Sequence, residues 1–116
     1  MSRNTRLRAA TSPASLQWTE RALRDLCEIE DYIAAHNPAA AERWIARLIV
    51  TAEAAAAAPQ SCRMVPEIAE KSVREALLRN YRIVYRVRDL GIVVLTVFEG
   101  HRLLPPDVVG KVGDDE

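Results

Sequence analysis

The side chains best suited to chemistry are five basic groups in the C-terminal half of the sequence: Arg74, Arg82, Arg86, His101 and Arg102. A guanidinium presents a planar fork of N–H donors and keeps its charge at neutral pH, so several on one open sheet face bind anions well. Arg82 and Arg86 lie in YRIVYRVR, where alternation puts Tyr81, Ile83, Tyr85 and Val87 on one side of a strand and Arg82, Val84, Arg86 and Arg88 on the other. One face is thus expected to pack and the other to be cationic. Arg74 shares a side with Ala76 and Leu78, and whether it converges with Arg82 depends on the hairpin register. The competing reading is that these arginines are solvated, or paired with Glu75, Asp89 and Glu99.

Other arrangements carry less. Glu28, Glu30 and Asp31 crowd one helical turn, but contiguous positions do not share a face, so they make no carboxylate pair for acid–base work. His36 and His101 stand outside any Ser-His-Asp pattern, and His36 suits the C-terminal end of a helix dipole. Cys27 and Cys62 lie 35 residues apart without a CxxC, which is neither a zinc spacing nor a disulfide framework, so a reduced cytosolic protein is expected. Glycine-rich nucleotide motifs are absent, and no metal or cofactor is expected.

The chain's 116 residues make one domain, and 49% hydrophobic content can supply its core. No apolar run approaches the ~20 residues that a membrane helix needs. Sixteen basic and sixteen acidic residues cancel, which argues against a general polyanion binder. The charge is uneven, however: residues 59–104 hold eight basic groups against five acids, and the tail from Pro105 holds one Lys against four acids. Residues 1–13 read as a disordered leader, 14–104 as the folded domain and 105–116 as an acidic tail.

The elements that must position the arginines follow from periodicity. Leu16 and Trp18 alternate with polar neighbours and predict a short strand. Thr19 can cap a helix running to about His36, with Leu23, Leu26 and Ile33 on one stripe. Asn37-Pro38 ends it and starts a second helix that carries Trp44, Ile45, Leu48 and Ala52 and stops at Pro59. Trp44 and Leu48 should face Tyr81, Ile83 or Tyr85. From Gln60 to Ser72 the period fails, predicting an irregular connection with room for one helical turn. Three strands follow, Val73–Leu78, Tyr81–Arg88 and Ile92–Phe98, joined by turns short enough for antiparallel hairpins. The predicted fold is α+β in the order β-α-α-β-β-β, an antiparallel sheet covered on one face by a helical hairpin. The edge joined by the first strand stays open.

The segments WTERALRDL, NPAAAERW, the Pro66-Glu67 pair, VREALLRNYRIVYRV and VFEGHR, in this order from about Leu16 to Leu104, resemble the ParE branch of the RelE/ParE toxin superfamily. The resemblance implies the toxin of a type II toxin–antitoxin (plasmid stabilisation) module, neutralised in a hetero-oligomer by a ParD-like ribbon-helix-helix antitoxin. In the ParE branch it implies inhibition of DNA gyrase by direct protein binding, with DNA met only through the antitoxin. The RelE branch instead cuts messenger RNA on the ribosome. Of the residues used there, Arg82 and Arg102 are retained, Arg74 matches roughly, a second lysine position falls at Ala76 or Leu77, and a C-terminal tyrosine falls near Val108. Half the nuclease set is missing, and arginine makes a poor base. A non-enzymatic gyrase poison is therefore the expectation, and a RelE-like ribosome-dependent endoribonuclease the alternative. The target-facing candidates are Arg74, Arg82, Arg86, His101 and Arg102, with Arg82 expected to be exposed and of little weight in stability. Tyr32 is the candidate antitoxin contact.

Overall fold

The structure, a computed structural model, describes residues 15–100. Strand β1 (Ser15–Trp18) leads into helix α1 (Glu20–Ala34) and helix α2 (Pro38–Ala57). Strands β2 (Arg63–Met64), β3 (Val73–Leu78), β4 (Tyr81–Arg88) and β5 (Gly91–Glu99) follow. The sheet order is β1-β5-β4-β3-β2, with two helices on one face, the α+β architecture expected from the sequence.

Both helices start where their caps require. The Thr19 hydroxyl oxygen accepts from the Ala22 N–H at 3.0 Å, and its own proton goes to the Leu95 carbonyl at 3.1 Å, so one side chain starts α1 and ties it to β5. Asn37 Oδ1 accepts from Ala40 N–H at 3.1 Å, with Pro38 at the first helical position of α2. Asp25 makes a second tie: its Oδ2 accepts from Thr96 Oγ1 at 2.5 Å and from the Val97 N–H at 3.0 Å. The two helices bury Leu26, Leu48, Ala52 and Ala55 against Ile83, Tyr85, Ile92 and Val94. Trp44 joins this core with its ring 5.8 Å from that of Tyr81, as the stripe on α2 predicts. Each fully buried leucine or isoleucine contributes about 1.5–3 kcal/mol.

Three features depart from the sequence expectation. The sheet is mixed: β3, β4 and β5 form the predicted antiparallel meander, but β1 joins β5 in parallel, Ser15 opposite Gly91 and Trp18 opposite Val94. Parallel pairing needs a long crossover, and the whole helical hairpin and meander supply it. Gly91 is required by this junction, because a β-carbon there would overlap the Ser15 carbonyl. The connection after α2 is more ordered than its lack of period suggests. It has the expected helical turn, a 3-10 turn at Pro59–Ser61, and then pairs Arg63 and Met64 with Glu75 and Arg74. Finally, the sheet face away from the helices is not an open cationic surface. Residues 65–72, following the edge strand β2, lie across it as a strap, and Val65 from the strap packs with Val73, Val84, Leu95 and Phe98 of the sheet in a second small core.

Candidate functional site: an arginine face under a strap

The two-residue turn at Arg79-Asn80 sets which arginines meet. Arg79 takes a φ of 55°, unusual without glycine, and the resulting register places Leu78 opposite Tyr81, Leu77 opposite Arg82 and Arg74 opposite Tyr85. Directly opposed residues in an antiparallel pair share a face. Arg74 therefore lies on the helix side of the sheet with Tyr85, and the convergence with Arg82 that its position allowed does not occur. Its guanidinium instead donates to the carbonyls of Lys71, Gln60 and Cys62 at 3.0, 3.3 and 2.7 Å, stitching the connection to β3.

Arg82 is not an exposed strand arginine: its side chain is 8% accessible. Nη1 and Nη2 donate to the two oxygens of Glu67 at 3.0 and 2.8 Å, a bidentate pair, and Nε donates to Glu75 Oε1 at 2.7 Å. The guanidinium carbon stands 5.0 Å over the Phe98 ring. Glu75, whose side chain is fully buried, takes a second guanidinium from Arg63 at 2.5 Å. The Glu67 carboxylate raises the Arg82 pKa above its ordinary value against the opposing effect of burial, and Glu75 adds to the rise. Arg86 lies further along the same face, with Nη1 3.3 Å from Ser72 Oγ and 3.6 Å from Glu70 Oε2. Glu67 and Glu70 belong to the strap, so the arginines hold the strap down. Sequence reasoning identified Glu75 as a partner and missed Glu67, Glu70 and Arg63. The signals were three acids at 67, 70 and 75 in and just after a stretch without period, and the Pro66-Glu67 pair within the family resemblance.

Of the remaining candidates, His101 and Arg102 lie outside the described residues. Tyr32 projects from α1 with 71% exposure, its ring 6.2 Å from that of His36. Tyr32 also lines a groove of about 420 Å³ between α1 and the ends of β4 and β5, along with Arg21, Asp25, Glu28, Tyr81 and Glu99. Burial, with help from Glu99 and Tyr32, raises the pKa of Tyr81 in that groove. No group of His, Cys, Asp and Glu suited to a metal ion occurs among the described residues, nor is any described helix long and apolar enough to cross a membrane.

This arrangement has clear relatives. The family described as "ParE toxin of type II toxin-antitoxin system, parDE" matches residues 16–104. A putative toxin, Y4kP, of Sinorhizobium fredii is 42% identical over 93 residues, covering 78% of this chain and 92% of the relative. Toxin RelE2 of Caulobacter vibrioides is 35% identical over 91 residues, covering 78% and 99%. Among solved structures, a chain from the chromosomal ParDE toxin–antitoxin system of P. aeruginosa superposes with a TM-score of 0.60 at 24% identity, covering 75% of this chain and 96% of that one, which supports the fold. The chain belongs to the ParE toxin family of type II toxin–antitoxin systems, within the RelE/ParE toxin superfamily.

Proposed function

We propose that this toxin acts without catalysis, by binding DNA gyrase directly, and that a ParD-like antitoxin neutralises it in a hetero-oligomer. The observation that carries this reading is the engagement of Arg82. A ribonuclease of the RelE kind needs cations that converge on one phosphate beside a group that takes a proton. In this fold Arg74 and Arg82 are on opposite faces, Ala76 is buried against Ile83, and both terminal nitrogens of Arg82 are already held by Glu67. A phosphate would have to displace a bidentate carboxylate at a nearly buried site. The parDE family description and the name of the Pseudomonas structure favour the antitoxin partner.

The name of the Caulobacter relative, Toxin RelE2, keeps the ribonuclease as the second reading. Purified protein should inhibit gyrase supercoiling in proportion to its molar ratio to the enzyme and leave message on programmed ribosomes intact. Codon-specific cuts mapped by primer extension, with supercoiling unaffected, would reverse the order of the two readings.

A further inference from the structure

The β2 edge of the sheet is interrupted by a notch. Strand β2 pairs only with Arg74 and Glu75 of β3, so Ala76, Leu77 and Leu78 have no strand beside them on that side among the described residues. Across the same edge the Val65 N–H donates to the Val73 carbonyl. Backbone groups alternate in direction along a strand, so residues 73, 75 and 77 all turn theirs to this side, and the N–H and carbonyl of Leu77 face the notch. Unpaired groups on a strand edge are a template for another strand. The space beside them measures about 400 Å³, lined by Thr51, Ala54 and Ala55 of α2 and by Arg63. The Leu77 side chain is 51% exposed. Charge around the notch has one sign. Arg63 stands at one end with its side chain half-exposed, and the exposed Arg79 follows at the other, with no ion pair among the described residues. Glu75, the acid that lines the notch, is fully buried, and Arg63 and Arg82 hold its two oxygens.

We propose that this notch receives an extended acidic segment of a partner protein, which adds as a short strand beside β3. Strand addition takes its affinity from main-chain hydrogen bonds and its selectivity from alternate side chains. Segment residues opposite Ala76 and Leu78 share the helix face, over Ala54 and Ala55, where apolar groups gain by burial. The residue between them lies opposite Leu77, on the face that carries Glu75 and its partner Arg63. A glutamate there covers Leu77 with its methylenes and brings its carboxylate toward Arg63 and Arg79, a charge-assisted contact. The pattern recognised is therefore an acid between two apolar residues. A second copy of this chain does not fit, because antiparallel pairing of β3 with itself about Leu77 sets Arg79 of one copy against Arg63 of the other. The inference is independent of whether gyrase or message is the toxin's target.

The test pans a displayed library of random short peptides against the full chain. Enriched sequences should carry an acid between two apolar residues. In isotope-labelled protein the Leu77 amide should exchange freely with deuterium when the chain is alone and slow by about tenfold or more once an enriched peptide is added. Methylating the backbone nitrogen of the peptide's acidic residue should abolish binding. Arg79→Asp, at an exposed turn position where Asp tolerates the positive φ, should weaken the peptide by about tenfold while the amide spectrum stays that of the folded chain. The proposal is overturned by no enrichment, by enriched sequences without an acid, by protection not centred on Leu77, or by equal binding to the Arg79→Asp variant. It is overturned as well if Leu77 is protected without peptide in proportion to protein concentration, because a second copy then fills the notch.

Discussion

On the side of the sheet that meets α1 and α2, Leu26, Leu48, Ile83, Ile92 and Val94 are packed by hydrocarbon, and Tyr85 places its one polar atom on the Pro59 carbonyl at 2.8 Å. On the other side Val84, Leu95 and Phe98 share their cover with Arg82, Glu75 and Glu67. The first face needs only apolar volume to stay closed. The second closes because buried charges find partners on a strap that has few apolar side chains of its own, chiefly Val65 and Ile68. Hydrocarbon cover tolerates losses in proportion to the volume removed. Ionic cover fails differently, since removing one partner leaves the other charged and desolvated.

The sharpest way to break this contrast is Arg82→Ala. Glu75 would stay buried with only the half-exposed Arg63 as counter-charge, and the strap would lose its bidentate anchor. Destabilisation of ~3–5 kcal/mol is expected in equilibrium denaturation; a loss under ~1 kcal/mol would show that the second face stays closed by apolar contact alone. On the helix face, Leu48→Ala should cost ~2–5 kcal/mol, because Leu48 is fully buried in α2.

A milder probe sharpens the difference. Arg82→Met combined with Glu75→Leu removes both charges at similar volume and should lie within ~1.5 kcal/mol of the parent, less damaging than Arg82→Ala alone. If the double variant is the worse of the two, the network supplies more than charge compensation. The smallest effect concerns the helix-side tyrosines. Burial raises the pKa of Tyr85 well above the ordinary phenol value, with Cys62 adding to it, and raises that of Tyr81 as well. Their neutral forms favour the folded state, so this contribution is complete below pH ~10 and is lost as pH climbs through the folded-state values. Stability should be unaffected by these groups at neutral pH and fall above ~10, with ultraviolet phenolate absorbance rising late. All three tyrosines of the folded protein ionising together with a midpoint near pH ~10 would show that both rings are open to water.

The helix face was legible in the sequence because it is written in period. Thr19 and Asn37 mark the helix starts, Trp44, Ile45 and Leu48 mark the packed stripe, and Tyr81, Ile83 and Tyr85 alternate as a strand should. The strap face was not, because Arg82 among alternating residues looks the same whether it faces water or a carboxylate 15 positions earlier. Arg74 illustrates the same limit. Its face depends on the positive φ adopted by Arg79, a backbone choice that a non-glycine turn residue does not announce. The parallel edge was hidden because strand periodicity carries no direction.

That parallel edge governs the order in which the molecule can be assembled. Thr19 meets Leu95 across 76 positions of chain, and Ser15 meets Gly91 across as many, whereas β3, β4 and β5 are joined by turns of two residues. Long-range closure has a larger entropic cost than a hairpin and is rewarded only once its destination exists. The meander and the helical hairpin therefore form first, and β1 is the last strand to be added, against a β5 already in place. During synthesis, residues 15–18 emerge early and must wait for Gly91 to leave the ribosome. For that interval the edge they will pair with is missing, and the newborn chain carries an unpaired β1 until β5 has been made.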